Sequence, residues 1–173
     1  IETVVANISN SNQTSVTINN LTSGVKYYYR LYPYNFDGSH SSTYNYLTSA
    51  SVPLDSATTV VAPDVTTSST VDSIKSSSAI LTMGLDDIGG ENAAEIGIAY
   101  KLYSISGAPT IADDSVNQTG SFATGNYNFQ LSSLQPETRY KASGFATNTA
   151  GTGYGSTVNF YTLATEPSSH ASL

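Results

Sequence analysis

Apolar and polar positions alternate with a period of two along much of this chain, and no stretch sustains a helical period. Period two places successive side chains on opposite faces, so each alternating run predicts a half-buried β-strand. Thr14 to Asn20 is such a run, with Val16 and Ile18 on one face. After a turn at Ser23 and Gly24, Val25 to Tyr34 makes the next. Pro33 cannot donate to a ladder, so that strand is expected to end there or to lie at an edge. Further strands are predicted over Ala79–Met83, Glu95–Tyr103, Tyr127–Leu131, Tyr140–Thr147 and Ser156–Tyr161. Clusters of Gly, Asn, Asp, Ser and Pro between them read as turns.

An internal repeat sets the architecture. Sliding the sequence by 113 residues lays Val16-Thr-Ile-Asn-Asn-Leu21 on Phe129-Gln-Leu-Ser-Ser-Leu134. Lys26-Tyr27 falls on Arg139-Tyr140, and Asn35-Phe-Asp-Gly38 falls on Asn148-Thr-Ala-Gly151, with no gap across 23 positions. The physical reading is a strand ending at Leu21 or Leu134, a short crossover, and a Tyr opening the next strand. That Tyr is expected to bond its hydroxyl to nearby backbone, the tyrosine corner of β-sandwiches. Leu21, Tyr27, Leu134 and Tyr140 are therefore the candidate corner residues. The Asn and Gly then close the strand in a turn, since both accept positive φ.

Composition supports β-structure and narrows the chemistry. The chain has 173 residues, of which 27 are Ser, 22 Thr and 13 Tyr, so it is small, uncharged and hydroxylated in character. Thr and Tyr favour pleated surfaces. Acidic side chains outnumber basic ones 13 to 6, for a net charge of −7. That balance opposes binding to nucleic acid or anionic lipid, both of which call for Lys and Arg. There are no cysteines, which excludes disulfides, cysteine zinc sites and thiol nucleophiles. His40 and His170 lie 130 positions apart, so a multi-histidine metal site is excluded. Ile1 opens the chain without Met and without a basic-then-apolar leader, and the sequence is expected to be an internal or processed piece.

The second copy resembles a known family. Leu134-Gln-Pro-Glu-Thr-Arg-Tyr140, Ala146-Thr-Asn-Thr-Ala-Gly-Thr-Gly-Tyr-Gly155 and Val158-Asn-Phe-Tyr-Thr162 are similar to the last three strands of a fibronectin type III domain. The variant resembled is the one common in secreted proteins of Bacteroidetes. The resemblance covers residues 62–164 as a complete sandwich. The first copy, Leu21-Thr-Ser-Gly-Val-Lys-Tyr27 with Tyr34-Asn35 and Tyr44-Asn-Tyr-Leu47, lacks the corner Pro and carries a longer loop, Phe36 to Thr43. The expected fold is thus all-β: tandem fibronectin type III-like sandwiches. Residues 1–61 would be the last three or four strands of the first, with opening strands supplied upstream or by another chain. Residues 165–173 would be a linker or the start of a further domain, and Val60-Val-Ala-Pro63 the junction.

Motifs with chemical promise read as structural. Asp86, Asp87, Glu91 and Glu95 near Gly89-Gly90, and Asp113-Asp114, do not follow the alternate-position spacing of a calcium loop, so solvated hairpin tips are expected. Gly38-Ser-His-Ser-Ser42 puts His40 in an exposed loop, and no Gly-x-Ser-x-Gly elbow occurs. Gly151-Thr-Gly-Tyr-Gly155 lacks the Lys of a phosphate loop and reads as a turn. Tyr27, Tyr28, Tyr29, Tyr32, Tyr34, Tyr44 and Tyr46 divide between packing and an aromatic strip of the kind that stacks on sugars. Asp55-Ser56, Asp72-Ser73 and Asp114-Ser115 match the Asp–Ser–apolar O-glycosylation pattern of the resembled proteins. All three are expected in loops or linkers. The Asn-x-Ser/Thr sequons at Asn7, Asn12, Asn20 and Asn117 are read as incidental.

No catalytic constellation emerges and no cofactor is implied. The expected function is a non-enzymatic structural or adhesive segment, a spacer or stalk, outside the cell or on its surface. Its expected partners are neighbouring β domains of a longer chain, surface glycans or other surface proteins. The resemblance implies export by the type IX secretion system. The alternative is a carbohydrate-binding accessory module of a secreted polysaccharide-degrading enzyme.

Overall fold

The computed structural model describes residues 15–35, 37–47 and 51–167. The chain divides into two compact units, Ile1–Thr59 and Val60–Leu173. The described residues are all-β, with a 3-10 turn at Ser41–Thr43 as their one helical element.

The first unit holds β1 (Lys26–Arg30), β2 (Tyr34–Asn35), β3 (Asn45–Tyr46) and β4 (Leu54–Thr58). β1 pairs antiparallel with β4, Tyr27 opposite Ala57, and β2 pairs with β3. The run from Val25, expected to end at Pro33 or lie at an edge, forms a strand only to Arg30 and resumes at Tyr34, past Pro33, which has no N–H to donate. Tyr34, Tyr44 and Tyr46 pack as a ring cluster, with centroids 5.0 to 6.1 Å apart. The strand expected over 14–20 is not formed in its described part, 15–20. Alternation marks a face and does not by itself make a strand; the matching residues up to Leu131 lie in a strand paired with Ala79–Leu85.

The second unit is a two-sheet sandwich. Its strands are β5 (Asp64–Asp72), β6 (Ala79–Asp87), β7 (Ala93–Leu102), β8 (Asp114–Phe122), β9 (Gly125–Leu131), β10 (Arg139–Asn148), β11 (Gly151–Tyr154) and β12 (Val158–Tyr161). One sheet has the order β5-β6-β9. The other runs β11-β10-β7-β8, and β12 pairs with the first half of β10. Leu81, Met83 and Leu85 alternate on β6 and meet Ile96, Ile98, Phe129, Leu131, Tyr140, Ala142 and Phe160 in the core. Burying a side chain of this size contributes about 1.5–3 kcal/mol each.

β10 is buried along nearly its whole length because both of its faces are covered. Its outward residues Arg139 and Lys141 lie beneath the segment joining β7 to β8. The Lys141 ammonium donates to the Ile105 carbonyl, Lys101 pairs with Asp113 at 3.2 Å, and the Ile111 N–H donates to Tyr154 Oη at 3.3 Å. Arg139 stacks on Tyr103, its guanidinium carbon 3.6 Å from the ring centroid. Three of the six basic residues thus hold this segment down through their charged heads.

Three strands of the second unit lie where sequence periodicity gives no strand. β5 and β8 are dominated by Ser, Thr, Asn and Gln, so apolar alternation is absent. Asp114, expected in a loop, opens β8 opposite Tyr100. Gly151–Tyr154, read above as a turn, is a strand paired with Phe145–Asn148. Gly151 has a positive φ of 144°, whereas Gly153 and Gly155 are required by close approach to Pro63 and β5. A Cβ on Gly153 would stand 1.8 Å from the Pro63 carbonyl oxygen, and one on Gly155 would stand 2.7 Å from the Thr67 nitrogen. The expected start of the last strand at Ser156 also moves, to Val158, because Gly155 instead donates its N–H to Gly144 O at 2.9 Å.

Gly153→Ala forces this backbone-on-backbone contact apart. The variant is expected to lose about 1–3 kcal/mol in a denaturant titration, the range for overpacking, whereas Gly38→Ala meets no atom within 4 Å and should cost only backbone strain.

Candidate functional site

The strongest constellation in the molecule is the Leu-to-Tyr crossover, present twice with the same bonds. Asn20 and Ser133 hold positive φ at 60° and 59°, and four residues later Gly24 and Glu137 do so again at 70° and 51°. Asn20, Ser133 and Glu137, unlike Gly24, tolerate the left-handed region at a cost, which marks a turn imposed by its surroundings. The Thr22 N–H donates to Tyr27 Oη at 2.9 Å, and the Gln135 N–H donates to Tyr140 Oη at 3.0 Å. A backbone donor that the crossover would strand is thereby satisfied.

Sequence reasoning missed the other half of the clasp. Thr59 Oγ1 donates to the Thr22 carbonyl at 2.6 Å and accepts the Val25 N–H at 3.1 Å. Thr162 Oγ1 donates to the Gln135 carbonyl at 2.6 Å and accepts the Thr138 N–H at 2.9 Å. In each copy Tyr and Thr bind the two ends of one peptide unit's neighbourhood, at Thr22 and at Gln135. Leu21 and Leu134 close the corner, but Leu134 is buried and Leu21 is exposed. Tyr140 stacks on Phe160 with centroids 5.8 Å apart, whereas Tyr27 faces Ala57.

Asn148, read above as a turn former, does more. Its Nδ2 donates to the Val61 carbonyl at 2.7 Å and to the Ile88 carbonyl at 3.0 Å, while its Oδ1 accepts the Ala150 N–H. The junction residues before β5 are fixed by this amide and by the Val61 N–H bond to Gly89.

The acidic residues work as caps. Asp87 accepts the Gly89 N–H, and Glu91 accepts the N–H and hydroxyl of Thr149. Glu95 is bonded by the Asn117 amide. Among the described residues, no three potential metal ligands come together. Asp113 is held below the usual carboxylate range by the Thr110 N–H and by Lys101. Asp55 is lowered by the Ser56 N–H and by Tyr29, whose own hydroxyl is pushed up by Asp55. Asp37 is lowered to about 2 by the N–H groups of His40 and Ser39, with the His40 ring 2.9 Å away. These shifts run opposite to that of a general acid, which needs a raised pKa.

The three Asp–Ser–apolar serines differ in setting, and their expected placement in loops is corrected for two. Ser56 is half-buried in β4 and Ser115 is exposed in β8 opposite Ala99. Both strands lack apolar alternation, which is why they escaped notice. Ser73 is exposed in a bend at φ 48°. Tyr28 and Tyr161 present the most open rings, 68 % and 59 % exposed. His40 is exposed, as are its loop neighbours Gly38 and Ser39. The sequons at Asn7 and Asn12, and His170, lie outside the described residues.

No protein-family model and no curated protein matches the sequence. Solved structures do. The sensor domain of an anti-sigma factor in Pseudobacteroides cellulosolvens aligns over 62 % of this chain and 100 % of its own, with 15 % identity and a TM-score of 0.46. An FN3 domain of human collagen XX aligns over 60 % of this chain and 93 % of its own, at 22 % identity and 0.41. Domains d3–d4 of the rat CD45 extracellular region align over 94 % of this chain and 77 % of their own, at 16 % and 0.48. Such identities and scores do not bear on activity, ligand or partner.

Two outcomes are expected from this geometry. Tyr140→Phe strands the Gln135 N–H and Thr162→Val strands the Thr138 N–H, each costing about 1–3 kcal/mol by thermal or denaturant melting. The double variant should depart from additivity by at least ~0.5 kcal/mol, because both side chains act on Gln135. As for pH, the folded pKa of Asp37 lies below its unfolded value, so its contribution is complete above the unfolded value of 3.8 and is lost as pH falls through about 2. An NMR titration should show the 37–43 loop unchanged at pH 4 and an Asp37 midpoint near 2; a midpoint at 3.8 would contradict the capping geometry.

Proposed function

We propose that this chain is a non-catalytic structural segment of an extracellular or surface protein, a spacer or stalk assembled from consecutive sandwich-type units. The observation that carries this reading is the duplicated Tyr–Thr clasp at Thr22 and Gln135. A corner whose hydroxyls are spent on backbone donors and acceptors closes a fold. The capping carboxylates with lowered pKa point the same way. Low charge and a hydroxyl-rich surface suit a domain that holds its fold without disulfides. Adhesion to neighbouring surface proteins, type IX export, a Bacteroidetes source and O-glycosylation at Ser56, Ser73 and Ser115 belong to the same proposal and rest on motif resemblance. Of these serines, Ser73 and Ser115 are exposed.

The second reading is glycan binding, favoured by the open rings of Tyr28 and Tyr161. Affinity electrophoresis against a panel of soluble polysaccharides separates the two. The spacer reading expects unchanged mobility in every gel. Retardation abolished by Tyr28→Ala or Tyr161→Ala would replace it with the carbohydrate-binding one.

A further inference from the structure

Arg139 opens β10 with its charge unanswered. Among the described residues it makes no ion pair, and its buried Nε meets no hydrogen-bond acceptor. Glu137 stands two residues before it but is not paired with it. What surrounds the guanidinium is aromatic. Its central carbon lies 3.6 Å from the Tyr103 ring centroid and 5.3 Å from that of Tyr161, the residue opposite it on β12. Ring faces attract a cation and shed water from it, but they accept no N–H bond in its plane. Lys101, on the same face of the sheet, is the contrast, since Asp113 meets its charge at 3.2 Å. Lys141 adds to the excess. It is buried, its ammonium lies 5.9 Å from the Tyr103 centroid, and the acceptor it donates to is the neutral Ile105 carbonyl.

Two cations therefore stand around one tyrosine ring, in a chain whose net charge is −7. A partly dehydrated charge without a counterion is costly, and a planar oxyanion relieves that cost. A guanidinium offers paired N–H groups in a fork that matches a carboxylate. The rim of the site is apolar. Tyr103 and Tyr161 are 45 % and 59 % exposed, and so are Ile105, two residues past the first, at 48 %, and Leu163, two past the second, at 56 %. Aliphatic neighbours of this kind suit apolar side chains beside the anion better than sugar hydroxyls. The negative charge of the whole chain also opposes a long polyanion, which meets it over many positions, more than it opposes a short acidic segment.

We infer that Tyr103, Arg139 and Tyr161 form a docking site for an acidic peptide segment of a partner protein, with one Glu or Asp carboxylate on the Arg139 guanidinium and apolar neighbours packed on the two rings. The guanidinium is held in place before the partner arrives, because its stack on Tyr103 and its strand pairing with Tyr161 fix it from two sides. The carboxylate supplies the counterion that the described residues do not. The inference goes beyond the spacer reading, since a stalk needs no ligand of its own, and it concerns the second unit alone.

The test is an NMR titration of the isotopically labelled intact chain, at low salt, with a capped peptide of sequence Gly-Leu-Glu-Glu-Leu-Gly. The Arg139 Nε–H signal and the Tyr103 and Tyr161 amides should move together and saturate, and the peptide with Gln in place of both Glu should leave them where they are. Arg139→Lys keeps a charge but loses the fork, and should weaken binding about tenfold or more while the other signals of residues 60–167 stay dispersed. Tyr161→Ala removes an exposed ring and should weaken binding severalfold; it carries the test if Arg139→Lys does not fold. No movement up to about 5 mM peptide overturns the inference. So does equal binding of the Gln peptide, or an unchanged affinity in the variant that folds. Movement of the same signals with polygalacturonate but not with the peptide overturns it in favour of an acidic sugar, and takes the spacer reading with it. Movement on concentrating the chain alone overturns it in favour of a second copy as the occupant. A chain silent to every probe leaves the spacer reading untouched, so the two readings fail separately.

Discussion

The arrangement turns on one constraint: a chain that crosses between two sheets strands backbone N–H and carbonyl groups at the corner. Here a tyrosine hydroxyl takes the Gln135 N–H and a threonine hydroxyl takes its carbonyl, with Ser133 and Glu137 bent into positive φ on either side. With those groups satisfied, Leu134 can be buried and β10 can start beside both β7 and β12. The central position of β10 then brings the two sheets face to face. A net hydrogen bond contributes only about 1 kcal/mol, but an unmade one at a buried crossover costs more than that. The corner therefore acts on register and topology more than on total stability.

The same clasp at Thr22 has a different setting. Its polar bonds match those at Gln135 to within a few tenths of an ångström, yet the leucine before it is exposed and Ala57 replaces the stacked phenylalanine. Local hydrogen bonding is thus separable from core formation in this chain. Thr22, Val25, Tyr27 and Thr59 make the bonds of this corner although Leu21 is exposed. The repeated element is one that joins strands.

The parts of the fold legible in the sequence were those written in large apolar side chains. Leu81-Met83-Leu85, Ile96-Ile98 and Phe129-Leu131 alternate plainly, and the strands they mark are present. β5, β8 and β11 were illegible because they carry Ser, Thr, Asn and Gly, and their strand state comes from neighbours. The converse error was the strand expected over 14–20, whose described part, 15–20, is not a strand despite real alternation. At the corner, spacing alone disclosed Leu21, Leu134 and the two tyrosines. It hid Thr59 and Thr162, because the longer loop in the first copy shifts the match from 113 residues to 103 before these threonines are reached. Asn148 was visible as a turn residue, but its bonds to Val61 and Ile88 join segments far apart in sequence.

The most direct measurement is hydrogen exchange at two single amides, Thr22 and Gln135, resolved by NMR in the intact protein. If one crossover chemistry closes both places, each amide exchanges well below its random-coil rate, and replacing Tyr27 or Tyr140 by Phe releases only the amide five residues before it. A Thr22 amide exchanging at the random-coil rate, or one indifferent to Tyr27, would mean that the resemblance between the two corners ends with the sequence.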